Sequence, residues 1–254
     1  VCTLRGADSE DWTSGEIQEV RDEIMNGLEW WANREPNANL TFTYSFEENI
    51  PIDYEPINWD HIWRDLWIND FLTYKNYEGD FENFSERFYE YLNDMRNESN
   101  ADWGFAIFVV DSSNDEDGMF KDGRFAFAMK GLDGGGPYMV MTYDNENYGI
   151  GNMDVVAAHE SGHIFGALDQ YLPCTCDSKD GYLYYENQNC MNVCELNVNS
   201  IMGNGNVVAA FANGLVDIYA RGQIGWQDED GNGILDIVDT IPGIYLNDYD
   251  DNSE

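Results

Sequence analysis

Positive charge is scarce in this chain. Lys and Arg number 12 against 49 Asp and Glu, a formal net charge of −37 over 254 residues. That balance excludes nucleic acid and anionic membranes as partners for the bulk surface. It favours metal cations and cationic peptides, and it equally describes a surface kept soluble by acids. Long apolar runs are missing too. None approaches the ~18 residues of a membrane span, so no span is expected. No signal-peptide pattern is visible and Val1-Cys2 does not resemble a natural start, so the chain reads as a mature or trimmed form. Histidine occurs only 3 times. Apolar residues are not lacking. They make up 43%, with 15% aromatics, which excludes global disorder and suffices for one sizeable packed domain.

Cysteine is sparse but clustered. Cys174, Cys176, Cys190 and Cys194 fall close together, and Cys2 stands alone. Four cysteines allow three pairings. A bridge across Cys174-x-Cys176 is geometrically awkward, so two longer bonds stapling one loop are expected. A structural zinc held by all four thiolates is the alternative. Cys2 is left free, or bonded to another segment or chain. Triplets of the N-x-[ST] type occur at Asn39, Asn83 and Asn97. With the clustered cysteines they point to an oxidising, extracellular setting, secreted or at a cell surface.

Along the chain, Thr13-Ser14-Gly15-Glu16 reads as a capping box. Ile17, Val20, Ile24, Leu28 and Trp31 follow at helical spacing, and the helix should stop before Pro36. Leu40 to Phe46 alternates as a strand. A second helix is predicted over about Phe81 to Arg96. Trp103 to Val110 is nearly continuous apolar sequence suited to a buried strand. Arg124 to Met129 and Pro137 to Tyr143 are further strands, the latter after Gly134-Gly135-Gly136. A helix is predicted from about Asn152 to Gly166. An irregular cysteine-rich loop runs from Pro173 to Val198, and a final helix from Val207 to Arg221. This order predicts an α+β fold, a mixed twisted sheet packed with helices above an irregular lower half.

His159-Glu160-Ser161-Gly162-His163 is an HExxH motif. Residues four apart share a helix face, so both imidazoles can reach one ion at ~2.0–2.1 Å. Glu160 sits beside them and can take a proton from a metal-bound water, whose pKa zinc lowers to about 7. Val155 to Ala158 supply an apolar helix before the motif. Gly166 lets the helix end, and the chain can then turn back and offer Asp169 as a third ligand. Asp169 could instead orient a ligand histidine, or cap the helix end. His61 has no partner motif and reads as structural or surface.

The full string HESGHIFGALD, with Ser200-Ile201-Met202-Gly203 downstream as a Met-turn, resembles the metzincin clan of zinc peptidases. Asp in place of the third His resembles the snapalysin-like variant. HExGHxxGxxDxY, through Tyr171, is similar to immune-inhibitor-A-type peptidases. The resemblance implies that His159, His163 and Asp169 bind catalytic zinc, that Glu160 is the base, and that Met202 forms an apolar floor below the metal. It implies that the Pro137–Tyr143 strand is the upper edge of the cleft, where a substrate strand pairs. It also implies a fold with a twisted mixed sheet, long helices above the cleft, and an irregular lower subdomain ending in a helix. The catalytic domain then spans 1–226, its upper part about 1–166 and its lower part about 167–226. Some clan members carry a Tyr two residues after the Met-turn methionine; this chain has Asn204. That leaves Tyr171 and Tyr219 as candidates for stabilising an oxyanion.

The segment 227–254 reads as an acidic calcium-binding tail. Asp228, Asp230, Asn232, Asp236 and Asp239 fall at positions 1, 3, 5, 9 and 12 of a calcium loop. Gly233 stands at its turn and Ile234 offers a backbone carbonyl. The pattern resembles the loops of EF-hands and dockerins. Asp111, Asp115, Asp117 and Asp122 form a second, generic cation candidate, and Asp248, Asp250 and Asp251 read as solvated. The sequence thus points to a secreted zinc endopeptidase with calcium in its tail, acting on protein or peptide substrates. Its oligomeric state cannot be read from sequence. The competing classes are a surface or assembly protein that keeps a peptidase fold as scaffold, and a calcium-dependent adhesion module. Retention of Glu160 argues against the first, HESGHIFGALD against the second.

Overall fold

The computed structural model describes residues 1–6, 12–131 and 136–239. Gly134, Gly135 and the acids Asp248, Asp250 and Asp251 lie outside the described residues. The elements run β1 (Cys2–Arg5), α1 (Ser14–Arg34), β2 (Glu47–Pro51), α2 (Arg64–Tyr74), α3 (Phe84–Glu98), β3 (Ala106–Val110), β4 (Ala126–Met129), β5 (Tyr138–Thr142), α4 (Met153–Ile164), β6 (Lys179–Asp180), β7 (Tyr185–Glu186), α5 (Val207–Asn213) and α6 (Ile218–Gln223). The fold is α+β. Five strands form one mixed sheet in the order β2-β1-β3-β5-β4, and β6 and β7 form a small ribbon. All neighbours in the large sheet are parallel except β4, which runs antiparallel to β5.

The two-residue period of the strands sorts the core into two layers. Phe108, Val110, Tyr138 and Val140 face α2 and α3, where Trp67, Phe71, Phe88 and Tyr91 fill the space. Ile107, Val109, Met139 and Met141 face α1 and α4, against Val20, Ile24, Leu28, Val156 and Ala157. The capping box starts α1 as the sequence predicts: Thr13 accepts from the Glu16 amide, and the Glu16 carboxylate accepts from the Thr13 amide. A third cluster lies under α4. Its centre is Trp31, fully buried, with Trp226 edge-on at 5.4 Å, Phe165 at 5.7 Å, and Met202 and Ile201 in the same cluster. The Trp31 indole N–H donates to the Ala158 carbonyl at 2.8 Å, one residue before His159.

Four sequence expectations change. Leu40 to Phe46 is not a ladder strand, and pairing begins at Glu47. The alternation there stacks Phe42, Tyr44 and Phe46 on one another at 6.3 and 6.1 Å, which gives the same period without a neighbouring strand. The single final helix is two: Gly214, at φ 66°, ends α5, and Asp217 caps α6 through the Tyr219 and Ala220 amides. The strand from Pro137 to Tyr143 is not an edge. β5 is paired on both sides, and the sheet's two edges are β2 and β4, of which β4 lies beside β5. Finally, β1 and α2 went unread. Four residues carry too little pattern for β1, and exposed Trp63 and Tyr74 at the ends of α2 blur its apolar face.

Helices α1 and α4 meet at Gly27. A Cβ there would lie 2.5 Å from the Asp154 carbonyl oxygen and 2.8 Å from the Ala157 Cβ, so the two backbones approach as closely as glycine permits. Gly27→Val is expected to destabilise the fold by ~1–3 kcal/mol through this clash. Thermal unfolding measures it, and an unchanged melting temperature would contradict the α1–α4 contact.

Candidate metal centre

The buried run Met153, Val155, Val156, Ala157 and Ala158 holds α4 between the sheet and the lower half, so its polar second half is fixed from behind. The helix ends where the sequence predicts. The Ala167 amide donates to the Gly162 carbonyl at 2.9 Å, and Gly166 follows at φ 103°. A Cβ at Gly166 would also meet the Gly181 Cα at 2.7 Å, so glycine serves both the left-handed turn and a close approach to the cysteine-rich loop.

This turn carries Asp169 back to the helix. Its Oδ1 lies 3.2 Å from His159 Nε2 and 3.1 Å from His163 Nε2, and the two Nε2 atoms are 3.2 Å apart. Tetrahedral coordination at ~2.0–2.1 Å requires ligand atoms ~3.3 Å apart. The triangle therefore fits an ion with a fourth position open. It is the one group of three or more His, Cys, Asp or Glu ligands drawn this close among the described residues.

The protons decide what the triangle can hold. His159 Nδ1 lies 2.8 Å from the Ile201 carbonyl, and His163 Nδ1 lies 2.8 Å from the Ala167 carbonyl. A carbonyl only accepts, so each Nδ1 is the donor and a neutral ring leaves Nε2 as a bare lone pair. Asp169 Oδ1 is buried with no hydrogen-bond donor when both rings are neutral. Three acceptors thus meet at one point, where only a cation or a proton can satisfy them. The alternatives for Asp169 fall away. It cannot orient a histidine through Nδ1, which the carbonyls occupy, and it sits on the Nε2 side rather than capping the helix.

Glu160 is 7% exposed, and its Oε2 has no hydrogen-bond partner. Burial pushes its carboxyl pKa up, Asp169 adds to this, and the two histidines oppose it. At His163, burial disfavours the cation, but the hydrogen bond and charge of Asp169, with the charge of Glu160, outweigh it and raise the imidazole to about 9. Burial raises the Asp169 carboxyl, yet His159 and His163 outweigh it and hold it well below the ordinary range. Tyr171 stacks on His159 at 6.2 Å, and its ring fills the space where a Gly203 side chain would begin. Burial and the nearby charges of Asp169 and Glu160 push its phenol pKa up. Tyr219 instead packs against Tyr185. Of the two tyrosines, only Tyr171 stands at the centre.

Met202 is fully buried beneath α4. A Cβ on Gly162 would sit 2.5 Å from its sulfur. Asn204 is buried and donates to the Asn189 carbonyl at 2.7 Å, so this position braces the lower half and does not face the cleft. The cysteines form two bridges, Cys174–Cys190 and Cys176–Cys194, which removes the four-thiolate zinc alternative. Each closes a loop of a length for which the chain-entropy account gives ~3 kcal/mol. The loop they staple holds the segment that carries Asp169: Asn187 donates to the Asp169 carbonyl at 2.8 Å, and the Met191 amide to the Gln170 carbonyl at 2.8 Å. Cys2 is free and buried in β1, so it is not open to another chain.

The tail residues gather around Asn232. Its backbone amide donates to Asp228 and Asp230, both at 3.0 Å, and its side-chain amide to Asp230 and Asp239, both at 3.0 Å. The Gly233 amide donates to Asp228, the Ile234 amide to the Asn232 side chain, and Asp236 accepts from the Glu229 amide. The predicted loop is thus present as a turn, though no three of its acids bring oxygens within 4.8 Å of one another. Asp111, Asp115, Asp117 and Asp122 do not converge. Asp115 and Asp117 bind amides of their own turn, and Asp122 pairs with His61. Sequence reasoning missed Arg124. Its charge reaches both Glu160 and Tyr171, and no motif marks it.

No protein-family model matches this chain, and no curated protein matches it. The chemistry rests on the residues themselves.

The raised His163 has a consequence for pH. Its contribution to the stability of the metal-free protein is fully present below the ordinary value of 6.5 and is lost as pH rises through about 9. A metal ion needs neutral imidazole, so it displaces this proton. The metal-free protein is expected to lose melting temperature between pH 7 and 9.5, while zinc affinity rises over the same window. Asp169→Asn should flatten both profiles. Titration calorimetry in buffers of different ionisation heat should show about one proton released per zinc at pH 7; none released would contradict the charged pair.

Proposed function

We propose that this chain is a secreted zinc-dependent endopeptidase of metzincin type. The observation that carries the reading is the meeting of three acceptor atoms, from His159, His163 and Asp169, beside the buried carboxyl of Glu160. A zinc ion held there by those three residues would lower the pKa of a bound water to about 7 and polarise a carbonyl oxygen. Glu160 takes the water proton and passes it to the leaving amine. Its burial suits that task, because a general base works best when its pKa lies near the working pH. The Tyr171 phenol, stacked over His159, is the donor available to a developing oxyanion. A substrate strand pairs with the free edge of β4, since the Pro137–Tyr143 strand is already paired on both sides.

Met202 packed under α4 supports the metzincin comparison. Two disulfides are compatible with an extracellular location. Among the described residues no helix is long and apolar enough to cross a membrane. Calcium in the Asp228–Asp239 loop is part of the same proposal, supported by the turn those residues form. A scaffold protein with this fold has no use for the buried Glu160.

Glu160→Gln is expected to bind zinc and melt like the wild type while losing casein hydrolysis by ~10²–10⁴-fold. Undiminished turnover in the zinc-loaded variant would remove Glu160 from the mechanism. For the tail, millimolar calcium should raise the melting temperature by the linkage that gives ~2.7 kcal/mol at one hundred times Kd. Asp228→Ala should abolish the rise, and a melting temperature indifferent to calcium and to EGTA would refute the loop.

A further inference from the structure

Basic residues are few here, and half of the 12 are held by carboxylates. Arg21, Arg64, Lys75, Lys130, Lys179 and Arg221 lie against carboxylates. Arg124 does not. Among the described residues its guanidinium makes no ion pair and no hydrogen bond, and the side chain is exposed. Arg87 and Arg96 satisfy their guanidinium groups on neutral oxygens, and Arg34 lies over the Trp30 ring, so among the described residues Arg124 is the arginine whose head group is left without a partner.

Its location is just before the start of a strand that packs against the metal-binding helix. Arg124 ends a tight turn and leads into β4, an edge strand of the sheet. Ala126 and Ala128 pack on the cluster that contains Val156 and Ala157 of α4, whereas Phe127 and Met129 pack on the opposite one. Phe125 packs on the α4 side as well, so the strand alternation holds only within β4, and Arg124 stands just before the strand on a segment that faces the metal-binding helix. The turn that presents it is anchored. The Phe120 amide donates to the Arg124 carbonyl at 2.7 Å, and the Lys121 amide to the Trp59 carbonyl at 3.2 Å. Asp122 is held by His61, whose ring lies edge-on to Phe127 at 5.3 Å. His61, the histidine outside the metal motif, is thus a brace for the turn. The charge of Arg124 also falls on Glu160 and Tyr171, which fixes it near the reacting centre.

We propose that Arg124 determines specificity by binding a carboxylate of the substrate, next to the bond that is cut. This rests on the peptidase reading above. A guanidinium is the side chain whose donors match a carboxylate in pairs, and a rigid turn limits the entropy lost on engaging it. The protein's overall negative charge does not forbid an acidic substrate. At physiological ionic strength charges are screened beyond ~8 Å, so a direct contact with the guanidinium outweighs the distant surface. The carboxylate could belong to an Asp or Glu side chain or to the end of a peptide.

The test begins with cleavage of a mixed peptide library by the zinc-loaded protein, read by mass spectrometry. A good substrate is then resynthesised with Glu changed to Gln near the cut, and separately with its terminal carboxylate amidated. Arg124→Gln should lower kcat/KM by ~10–100-fold on peptides that keep the carboxylate, mainly through KM, and should change it far less on the neutral versions. Loss of the difference on Glu→Gln alone identifies a side chain; loss on amidation alone identifies the peptide end. Arg124→Glu should reverse the preference toward Lys and Arg. Equal loss of kcat on every peptide would overturn the proposal and make Arg124 part of the general machinery. So would a wild type with no preference for a carboxylate. Binding provides an arm independent of turnover, using zinc-loaded Glu160→Gln and calorimetry with Glu- and Gln-containing peptides. Glu peptides should bind tighter, and the added Arg124→Gln change should erase the difference. If the wild type cuts nothing yet this difference appears, the peptidase reading fails and the carboxylate site stands. If no difference appears, the site fails.

Discussion

Two backbone carbonyls determine what this cleft can do. Those of Ile201 and Ala167 each take the Nδ1 proton of a histidine, and both rings consequently turn their Nε2 lone pairs toward Asp169. Without those carbonyls either ring could present an N–H, and the three groups would satisfy one another by ordinary hydrogen bonding. With them, the site demands a positive charge. In the metal-free protein a proton on His163 meets that demand, held by Asp169 against the cost of burial. The same geometry suits a metal ion better, because a cation can satisfy all three acceptors at once.

Both carbonyls come from segments that the lower half of the molecule must position. Ala167 follows the glycine turn at the end of α4, and Ile201 belongs to the turn that carries Met202 beneath Gly162. A buried polar network ties these segments together. Asp217 accepts from Gln170 at 2.7 Å and from Ser200 at 2.8 Å, and Asn189 bridges Gln170 and Val198. The bridges Cys174–Cys190 and Cys176–Cys194 close the loop around this network. The irregular lower half therefore does in hydrogen bonds and disulfides what the sheet does in apolar packing. Beneath α4, Trp31 fixes the helix through the Ala158 carbonyl, so the histidines are held by their own helix, by the aromatic cluster, and by the two carbonyls.

The sequence made most of the centre readable because the ligands are local. His159, Glu160 and His163 lie on one helical turn, and Gly166 and Asp169 follow within six residues, so spacing alone brings them near each other. The long helices and the buried strands β3 and β5 were legible for the same reason, since period is a local property. What sequence could not supply were relations between distant segments. The alternation from Leu40 to Phe46 is strand-like, yet only pairing makes a strand, and pairing starts at Glu47. The apolar β5 segment has the composition of a central strand, and it is one; its assignment to the cleft edge came from the family comparison and overlooked β4. Arg124 was unreadable because its meaning depends on a turn tied to Trp59 and His61, more than sixty residues away in the chain. Asn204 shows the opposite case. A position where a tyrosine was sought proves to be a buried amide in a polar network, and the ring at the centre comes from Tyr171.

The central claim is that His159, His163 and Asp169 hold one zinc ion with a position left open. X-ray absorption at the zinc edge, on protein loaded with one equivalent, tests it without reference to activity. The account predicts a first shell of nitrogen and oxygen only, at ~2.0–2.2 Å, with the multiple scattering of two imidazoles, and one fewer protein ligand in Asp169→Ala. A shell containing sulfur at ~2.3 Å, or one unchanged by Asp169→Ala, would contradict it.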